Sequence, residues 1–277
     1  MRTSIIQPGI ELRDLHSQII NQDLRLYIKL PWYYDRNDKS YPVLFCTDAN
    51  RGFPLYSTIS LMAETPGTGS PEIVIVGMGY QVSDDRIEGL AQWAAWRTRD
   101  FLPERREKAE AYWNELLSSL LGGEEILVQS GGAPLFLKSL LEEIIPFIQQ
   151  NYRVSIHDRG LAGYSYGGLF TLYALFHAPQ TFQRYFAGSP TMYDRLFEYE
   201  QDYASTHQDL EAKLTITAGS RESDVIEPVN RMVESLQSRG YPRLEVTFHV
   251  FEGEGHRSAM GAAISRALYT LYYRKEA

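Results

Sequence analysis

The amino-acid sequence predicts an α/β fold with a mostly parallel central sheet flanked by helices. Residues 43–46 and 73–77 are short apolar runs without polar–apolar alternation, which is typical of strands buried on both faces. Segments with apolar residues at helical spacing lie between such runs, most clearly residues 135–150. Strands that alternate with helices indicate β–α–β units and therefore parallel strand pairs.

The predicted elements follow one another along the whole chain. Residues 24–30 alternate apolar and polar side chains, which predicts a strand that is wet on one face and ends before Pro31. The other predicted strands are residues 43–46, 73–77, 158–163, 184–188, 213–218 and 243–251, and the predicted helices are residues 135–150, 169–177, 225–239 and 258–273. No repeat or linker interrupts this order, so one domain over residues 1–277 is expected.

Composition and charge argue against several classes of protein. The chain has 277 residues, of which 27 are basic and 35 acidic, so its formal net charge is −8. Phosphate backbones repel such a chain, and no nucleic-acid partner is expected. No apolar run is long enough to span a bilayer, and residues 1–3 do not lead into a secretory signal. Together with the single cysteine, Cys46, these features predict a cytoplasmic protein with no membrane partner.

Residues 163–167 read Gly-Tyr-Ser-Tyr-Gly and match the Gly-x-Ser-x-Gly pattern of a nucleophile elbow. The pattern lies between a predicted strand and a predicted helix, which is the context that such an elbow needs. The flanking glycines leave room for a tight turn that raises the Ser165 hydroxyl above the sheet and aims the N–H of Tyr166 at an oxyanion. We therefore expect Ser165 as nucleophile and Tyr166 as an oxyanion donor; a glycine-rich turn without chemistry is the weaker alternative.

A serine hydroxyl needs a general base, and in this fold class the acid and the histidine follow the serine in the chain. His256 comes after the last predicted strand, in the glycine-rich loop of residues 252–256, and is the expected base. The loop after residues 214–218 offers two carboxylates, Glu222 and Asp224. Glu222 is closer to the strand end and is the expected acid, whereas Asp224 suits the N-cap of the next helix.

Motifs outside the elbow add a family resemblance. They are residues 41–45 (YPVLF), 48–50 (DAN), 97–101 (RTRDF), 131–133 (GGA), 143–148 (EIIPFI), 162–168 (AGYSYGG) and 188–190 (GSP). With them the chain resembles the putative-esterase (esterase D-like) branch of the α/β-hydrolases, especially the group that contains the enterobactin and bacillibactin siderophore esterases. The resemblance covers most of the chain and implies an α/β-hydrolase fold. No nucleotide-binding or zinc motif occurs, so neither a cofactor nor a metal is indicated.

The resemblance also implies a second oxyanion donor, the backbone N–H of Asn50. Arg97 and Arg99 could anchor an anionic or catecholate group near the pocket, although ion pairs with Asp100 and nearby carboxylates explain them at least as well. Relatives are shorter between residues 103 and 131, which marks a helical insertion at about residues 104–130. Its helix, residues 104–121, carries an apolar stripe that must be covered, either beside the acyl pocket or against a distant part of the surface. The members of that stripe are Ala111, Trp113, Leu116, Leu117 and Leu120.

These features predict a serine carboxylic-ester hydrolase with an acyl-enzyme intermediate and a small-molecule ester as substrate. A siderophore-like or other bulky aromatic ester is the expected type. The same residues could instead serve an acyltransferase or a thioesterase, and a fold of this kind can also be a non-catalytic binding module. The oligomeric state has no signal in the sequence.

Overall fold

An eight-stranded sheet forms the centre of the computed structural model, which describes residues 9–64, 72–123 and 126–272. The strands are β1 (Ile10–Ser17), β2 (Gln22–Lys29), β3 (Tyr41–Cys46), β4 (Val74–Tyr80), β5 (Val154–Tyr164), β6 (Arg184–Gly188), β7 (Ala212–Gly219) and β8 (Leu244–Phe251). Their order across the sheet is β1-β2-β4-β3-β5-β6-β7-β8. The pairs β1–β2 and β2–β4 are antiparallel and the remaining neighbours are parallel, which confirms the predicted mostly parallel sheet.

Helices connect the strands. They are α1 (Ala49–Ala63), α2 (Arg86–Phe101), α3 (Glu107–Leu120), α4 (Ala133–Ser139), α5 (Ile145–Asn151), α6 (Tyr166–His177), α7 (Asp194–Thr206), α8 (Ser223–Ser238) and α9 (Met260–Tyr272). A wide π-type turn, Leu140–Ile144, joins α4 to α5, so the predicted helix over residues 135–150 exists in three pieces. Helices α1, α2 and α7 were not expected from the sequence. None of the helices in the described ranges is long and apolar enough to cross a membrane.

The central strands β3 and β4 are buried on both faces, as their apolar sequences predict. Alternate residues of β3 belong to two separate apolar clusters: Val43 and Phe45 lie in one, Leu44 and Cys46 in the other. Helices α1 and α9 cover the second cluster, while α2, α4, α5, α6 and α8 pack on the first. This arrangement leaves the carboxyl ends of the parallel strands free to carry side chains for chemistry.

Helix α3 lies within the predicted insertion, but its apolar stripe is not covered as expected. Leu117 is 1% exposed and Trp113 is half-buried, whereas Ala111, Leu116 and Leu120 are exposed. The inward side of α3 instead includes the polar side chains of Glu110 and Asn114. Glu110 accepts hydrogen bonds from the Ser130 N–H (2.9 Å) and hydroxyl (2.8 Å), and Asn114 accepts one from the Val128 N–H (2.8 Å). The N–H groups of Val128 and Ser130, which follow α3 in the chain, therefore hold Glu110 and Asn114 on the inward side of the helix.

Candidate active site

Ser165, Glu222 and His256 each follow a strand of the parallel part of the sheet. Ser165 comes directly after β5, Glu222 lies in the turn after β7, and His256 lies in the loop after β8. Because β5, β6, β7 and β8 are neighbours and parallel, their carboxyl ends meet at one edge of the sheet. Ligand sites in open α/β sheets lie at that edge.

The backbone at Ser165 has the strained geometry of a tight strand–helix turn. The Ser165 backbone has φ +59° and ψ −118°, a conformation that residues other than glycine rarely adopt. A Cβ atom on Gly163 would lie 2.1 Å from the Gly167 carbonyl oxygen, and one on Gly167 would lie 2.1 Å from the Thr47 hydroxyl oxygen. Both glycines of the motif are therefore required by close approach, and Ser165 occupies the N-cap position of α6 without a side-chain capping bond.

His256 and Glu222 are joined by a short hydrogen bond. The His256 Nδ1 atom lies 2.6 Å from Glu222 Oε1. The other ring nitrogen, Nε2, is therefore left to accept a proton. Glu222 is 5% exposed, and its second oxygen accepts hydrogen bonds from the Gly219 N–H (2.7 Å) and the Ser189 hydroxyl (2.8 Å). The His256 side chain is 44% exposed and so remains accessible to a substrate. No hydrogen bond joins the Ser165 hydroxyl to His256 in the described ranges, and catalytic hydrogen bonds often tighten only when substrate binds.

Asp224 occupies a different position from the one expected. Helix α8 begins at Ser223, and Glu222 stands at its N-cap position, so the expectation that Asp224 caps the helix is wrong. Asp224 lies instead in the first turn, where its charge interacts favourably with the helix dipole. The buried turn after β7 thus directs Glu222 to His256 and leaves Asp224 exposed.

Two hydroxyl groups near the site were missed by the sequence analysis. Tyr164, the residue before Ser165, has its hydroxyl 2.7 Å from the Ser189 hydroxyl and 2.7 Å from the His256 carbonyl oxygen. Ser189 belongs to the Gly-Ser-Pro motif and follows β6, between the strands that carry Ser165 and Glu222. A polar residue directly after a buried strand, at the edge where the site forms, was the available signal.

Tyr166 and Asn50 both lie in the first turns of helices. Tyr166 begins α6 and Asn50 is the second residue of α1, so their N–H groups are among those that a helix leaves without an intrahelical acceptor. Such groups favour negative charge. The two turns are in contact because Thr47 donates its N–H to the Ala162 carbonyl at 3.0 Å. The Asn50 side chain pairs with the backbone of Tyr80 through two bonds of 2.8 Å, which fixes the start of α1.

Arg97 and Arg99 each form a bidentate ion pair. Arg97 is 6% exposed and donates to both oxygens of Asp48, at 2.6 and 2.8 Å. Its guanidinium group also lies 5.0 Å from the ring centre of Tyr166. Arg99 donates to both oxygens of Asp100, at 2.7 and 2.9 Å. The geometry favours the ion-pair alternative over direct substrate binding, above all for Arg97.

A cavity of about 370 Å³ opens beside the Glu222–His256 pair. Its wall includes Thr191, Met192, Arg221 and Asp224. Met192 adjoins Tyr193, whose ring lies 4.5 Å from the guanidinium group of Arg106. Arg106, at the amino-terminal end of the predicted insertion, thus contacts the residue that follows the cavity residue Met192 in the chain.

Comparison with known proteins identifies similar sequences over most of the chain. The family model described as putative esterase matches residues 122–263. The ferri-bacillibactin esterase BesA of Bacillus subtilis (strain 168) is 28% identical over 280 residues, which cover 94% of this chain and 89% of that protein. A siderophore enterobactin esterase of Emericella nidulans is 27% identical over 218 residues, or 73% of this chain and 64% of that protein.

Solved structures of similar proteins share the whole fold. The BES protein from Bacillus cereus superimposes with a TM-score of 0.79 at 25% identity, covering 99% of this chain and 100% of that one. The siderophore hydrolase EstB from Aspergillus nidulans gives a TM-score of 0.77 at 19% identity, covering 100% and 99% of the two chains. The second likeness shows the fold alone.

Proposed function

The chain belongs to the putative esterase family and is a carboxylic-ester hydrolase, and from this premise we propose that it works through an acyl-enzyme formed on Ser165. The observation that carries the proposal is the Glu222–His256 hydrogen bond of 2.6 Å at the sheet edge where the Ser165 elbow opens. A serine is a poor nucleophile until a neighbouring base takes its proton. His256, held by Glu222 at Nδ1, has its second ring nitrogen to do so.

In the proposed first half-reaction, the Ser165 hydroxyl oxygen attacks the acyl carbon and His256 Nε2 takes the hydroxyl proton. The N–H groups of Tyr166 and Asn50 hold the oxyanion of the tetrahedral intermediate. When the intermediate collapses, the C–O bond to the alcohol breaks and His256 returns the proton to the leaving oxygen. Glu222 keeps the imidazole in the required tautomer and stabilises its charged form.

In the second half-reaction, a water molecule takes the place of the alcohol. His256 removes a proton from the water as its oxygen attacks the acyl carbon of the Ser165 ester. Collapse of the second intermediate releases the carboxylic acid and returns the proton to Ser165. An alcohol or a thioester could enter the same steps, so transfer and thioester hydrolysis are the alternatives that rate comparisons must separate.

We propose a siderophore-like or other bulky aromatic ester as the substrate. The relatives are named for bacillibactin and enterobactin siderophores. In this chain the cavity beside His256 has the size of a small-molecule site, and Met192 and Val225 supply apolar surface. Arg221 gives the same cavity a cationic group, beside the carboxylates of Glu222 and Asp224.

Labelling with a fluorophosphonate probe tests the proposal most directly. The probe should modify the wild-type chain at Ser165 and should leave the Ser165→Ala variant unmodified. The same variant should lose about 10⁶-fold in kcat on a p-nitrophenyl ester, as expected when the nucleophile of such a unit is removed. A folded Ser165→Ala variant within about tenfold of wild-type activity, a change of only about 1.4 kcal/mol in the barrier, would contradict the mechanism.

We also propose a cytoplasmic location and no nucleic-acid partner. The net charge of −8 opposes binding to phosphate backbones, and the single cysteine, Cys46, is buried in β3. Cell fractionation with an antibody against the chain tests the location. Retention of the chain on a nucleic-acid column at physiological salt would contradict the second statement.

A further inference from the structure

The loop of residues 188–191 contacts two members of the proposed triad, the backbone of Ser165 and the side chain of Glu222. The Gly188 carbonyl accepts the Ser165 N–H at 2.9 Å, and the Thr191 N–H donates to the Ser165 carbonyl at 3.1 Å. Between these two contacts, the Ser189 hydroxyl donates to Glu222 Oε2 at 2.8 Å. The loop therefore holds the nucleophile's backbone from both sides while it contacts the acid directly.

Ser189 itself has an unusual conformation for a serine. It is 1% exposed and has φ +34°, in the left-handed region that glycine adopts most readily. Its N–H is bonded to the Thr217 carbonyl at 2.8 Å, which fixes the backbone in place. Since glycine would adopt this conformation at lower cost, we attribute the presence of a side chain here to the contacts of its hydroxyl.

Tyr164 connects Ser189 to His256, the proposed base. A Cβ atom on Gly188 would lie 2.4 Å from the Tyr164 ring, so glycine at this position lets the ring pack against the loop. The Tyr164 hydroxyl then reaches both the Ser189 hydroxyl and the His256 carbonyl oxygen, each at 2.7 Å. Burial raises the pKa of Tyr164 to about 12, so its hydroxyl keeps its proton at neutral pH.

The hydroxyl groups of Tyr164 and Ser189 have fewer protons to donate than they have short contacts. Three short contacts involve Tyr164 and Ser189, but each hydroxyl has one proton to donate. If Ser189 donates to Glu222, its oxygen can only accept from Tyr164, and the single Tyr164 proton serves either Ser189 or the His256 carbonyl. In the first arrangement a chain of donors runs from Tyr164 through Ser189 to the carboxylate, and in the second Tyr164 holds the His256 loop.

We propose that Ser189 and Tyr164 are positioning residues that set the acid and the base of this site, Ser189 by donating to Glu222 and Tyr164 by donating to the His256 carbonyl or to Ser189. The inference rests on the proposed esterase function. Neither hydroxyl reacts with the ester. Each holds a partner in place, so removal of either should lower kcat and leave KM nearly unchanged.

The experiment combines variants of the loop with variants of the acid. Ser189→Ala, Ser189→Gly and Tyr164→Phe are assayed on a p-nitrophenyl ester, each alone and in a Glu222→Ala background. Ser189→Gly removes the hydroxyl and relieves the backbone, so it separates the hydroxyl from the conformation. The matched control is Tyr241→Phe, because Tyr241 is a buried tyrosine whose hydroxyl has no hydrogen-bond partner within the described ranges.

Both Ser189 variants should lower kcat by about tenfold, the size expected for one lost hydrogen bond to a charged group, while KM and the melting temperature change little. In the Glu222→Ala background the same substitutions should cost less than about twofold, because the group that Ser189 positions is gone. Wild-type kcat in the Ser189→Gly variant, or an undiminished tenfold loss in the Glu222→Ala background, would overturn the proposal.

A spectroscopic measurement separates this proposal from the esterase mechanism. The proton between His256 Nδ1 and Glu222 should give a downfield proton NMR signal that Glu222→Ala abolishes. That signal should shift in Ser189→Ala and in Tyr164→Phe and stay unchanged in Tyr241→Phe. An unchanged signal in both loop variants would overturn the positioning role even if Ser165 is the nucleophile, whereas a shifted signal would support it even if activity on the chosen ester were absent.

Discussion

The side chains of Glu222 and His256 meet although they follow different strands: Glu222 Oε1 lies 2.6 Å from His256 Nδ1, across the ends of β7 and β8. Glu222 is buried and His256 is half-exposed. A buried carboxylate that receives several hydrogen bonds can hold an imidazole in one tautomer and one orientation while the other face of the ring stays open to substrate.

We predict that Glu222→Ala lowers kcat by about 10²- to 10⁴-fold, because the imidazole loses the group that fixes its tautomer. Asp224→Ala should keep kcat within about threefold of wild type, since Asp224 lines the cavity but the His256 Nδ1 atom is bonded to Glu222. Steady-state kinetics on one p-nitrophenyl ester, with circular dichroism to check folding, compare the two. A larger loss in Asp224→Ala would reverse the assignment.

Arg97 should affect kcat through the turn that carries Asn50. The bidentate pair with Asp48 holds a residue at φ +58° just before α1, so Arg97→Lys, which keeps the charge but loses the planar fork, should lower kcat by about tenfold. KM should change little if Arg97 does not contact substrate. A rise in KM at constant kcat would instead assign Arg97 to direct binding of the ester.

The buried pair of Lys29 and Glu64 should matter for stability. Both side chains are 2% exposed, and burial lowers the pKa of Lys29 and raises that of Glu64. Lys29→Met leaves the buried Glu64 carboxyl group without its cationic partner and should reduce the free energy of unfolding by about 3–5 kcal/mol. The double variant Lys29→Met/Glu64→Leu should restore much of that loss. Urea unfolding measures both variants.

The matched control for that pair lies on the same strand. Arg25 contacts Asp14 at 2.8 Å, but their side chains are 35% and 48% exposed. Arg25→Met should therefore cost less than about 1 kcal/mol. Equal losses in Lys29→Met and Arg25→Met would show that burial of the Lys29–Glu64 pair does not set its contribution.

We propose that the insertion at residues 104–130 influences which esters enter the site, through the contact of Arg106 with Tyr193. Arg106→Ala should change the ratio of kcat/KM between large and small esters by about fivefold, a difference of roughly 1 kcal/mol that suits one aromatic contact. Lys108→Ala removes an exposed cation from the first turn of α3, two residues after Arg106, and serves as the control. Equal ratios in wild type and Arg106→Ala would place the insertion outside substrate selection.

The strands could be predicted from the sequence because burial on both faces leaves a plain apolar run, as in β4, and the predicted bounds of β6 agree with the structure. Helix α1 was missed for a physical reason. It contains Gly52 and Pro54, which weaken intrinsic helix formation, and packing of Phe53 and Tyr56 under the sheet stabilises it instead.

The candidate site could be predicted only in part. The elbow and the two loop residues, Glu222 and His256, have local signals in glycine spacing and chain order. The polar positions of Tyr164 and Ser189 at strand ends are visible in the sequence, but the contacts of their hydroxyls are not, because these contacts form only when β5, β6 and β7 lie side by side. The pairing of Arg97 with Asp48 likewise joins residues 49 positions apart. Contacts of this kind depend on the register of the sheet, which the local pattern does not encode.

Strand β1 lies at one edge of the sheet and pairs only with β2 among the described strands. Strand β1 carries none of the site residues, and its exposed side chains include Arg13 and Asp14. Charged side chains on an edge strand discourage another chain from adding to the sheet, whereas β2 beneath it carries the apolar residues Leu24, Leu26 and Ile28. A variant without β1 would keep every group proposed to act on an ester but would expose the unpaired backbone edge of β2. We expect such a variant to fail by aggregation and not by loss of chemistry.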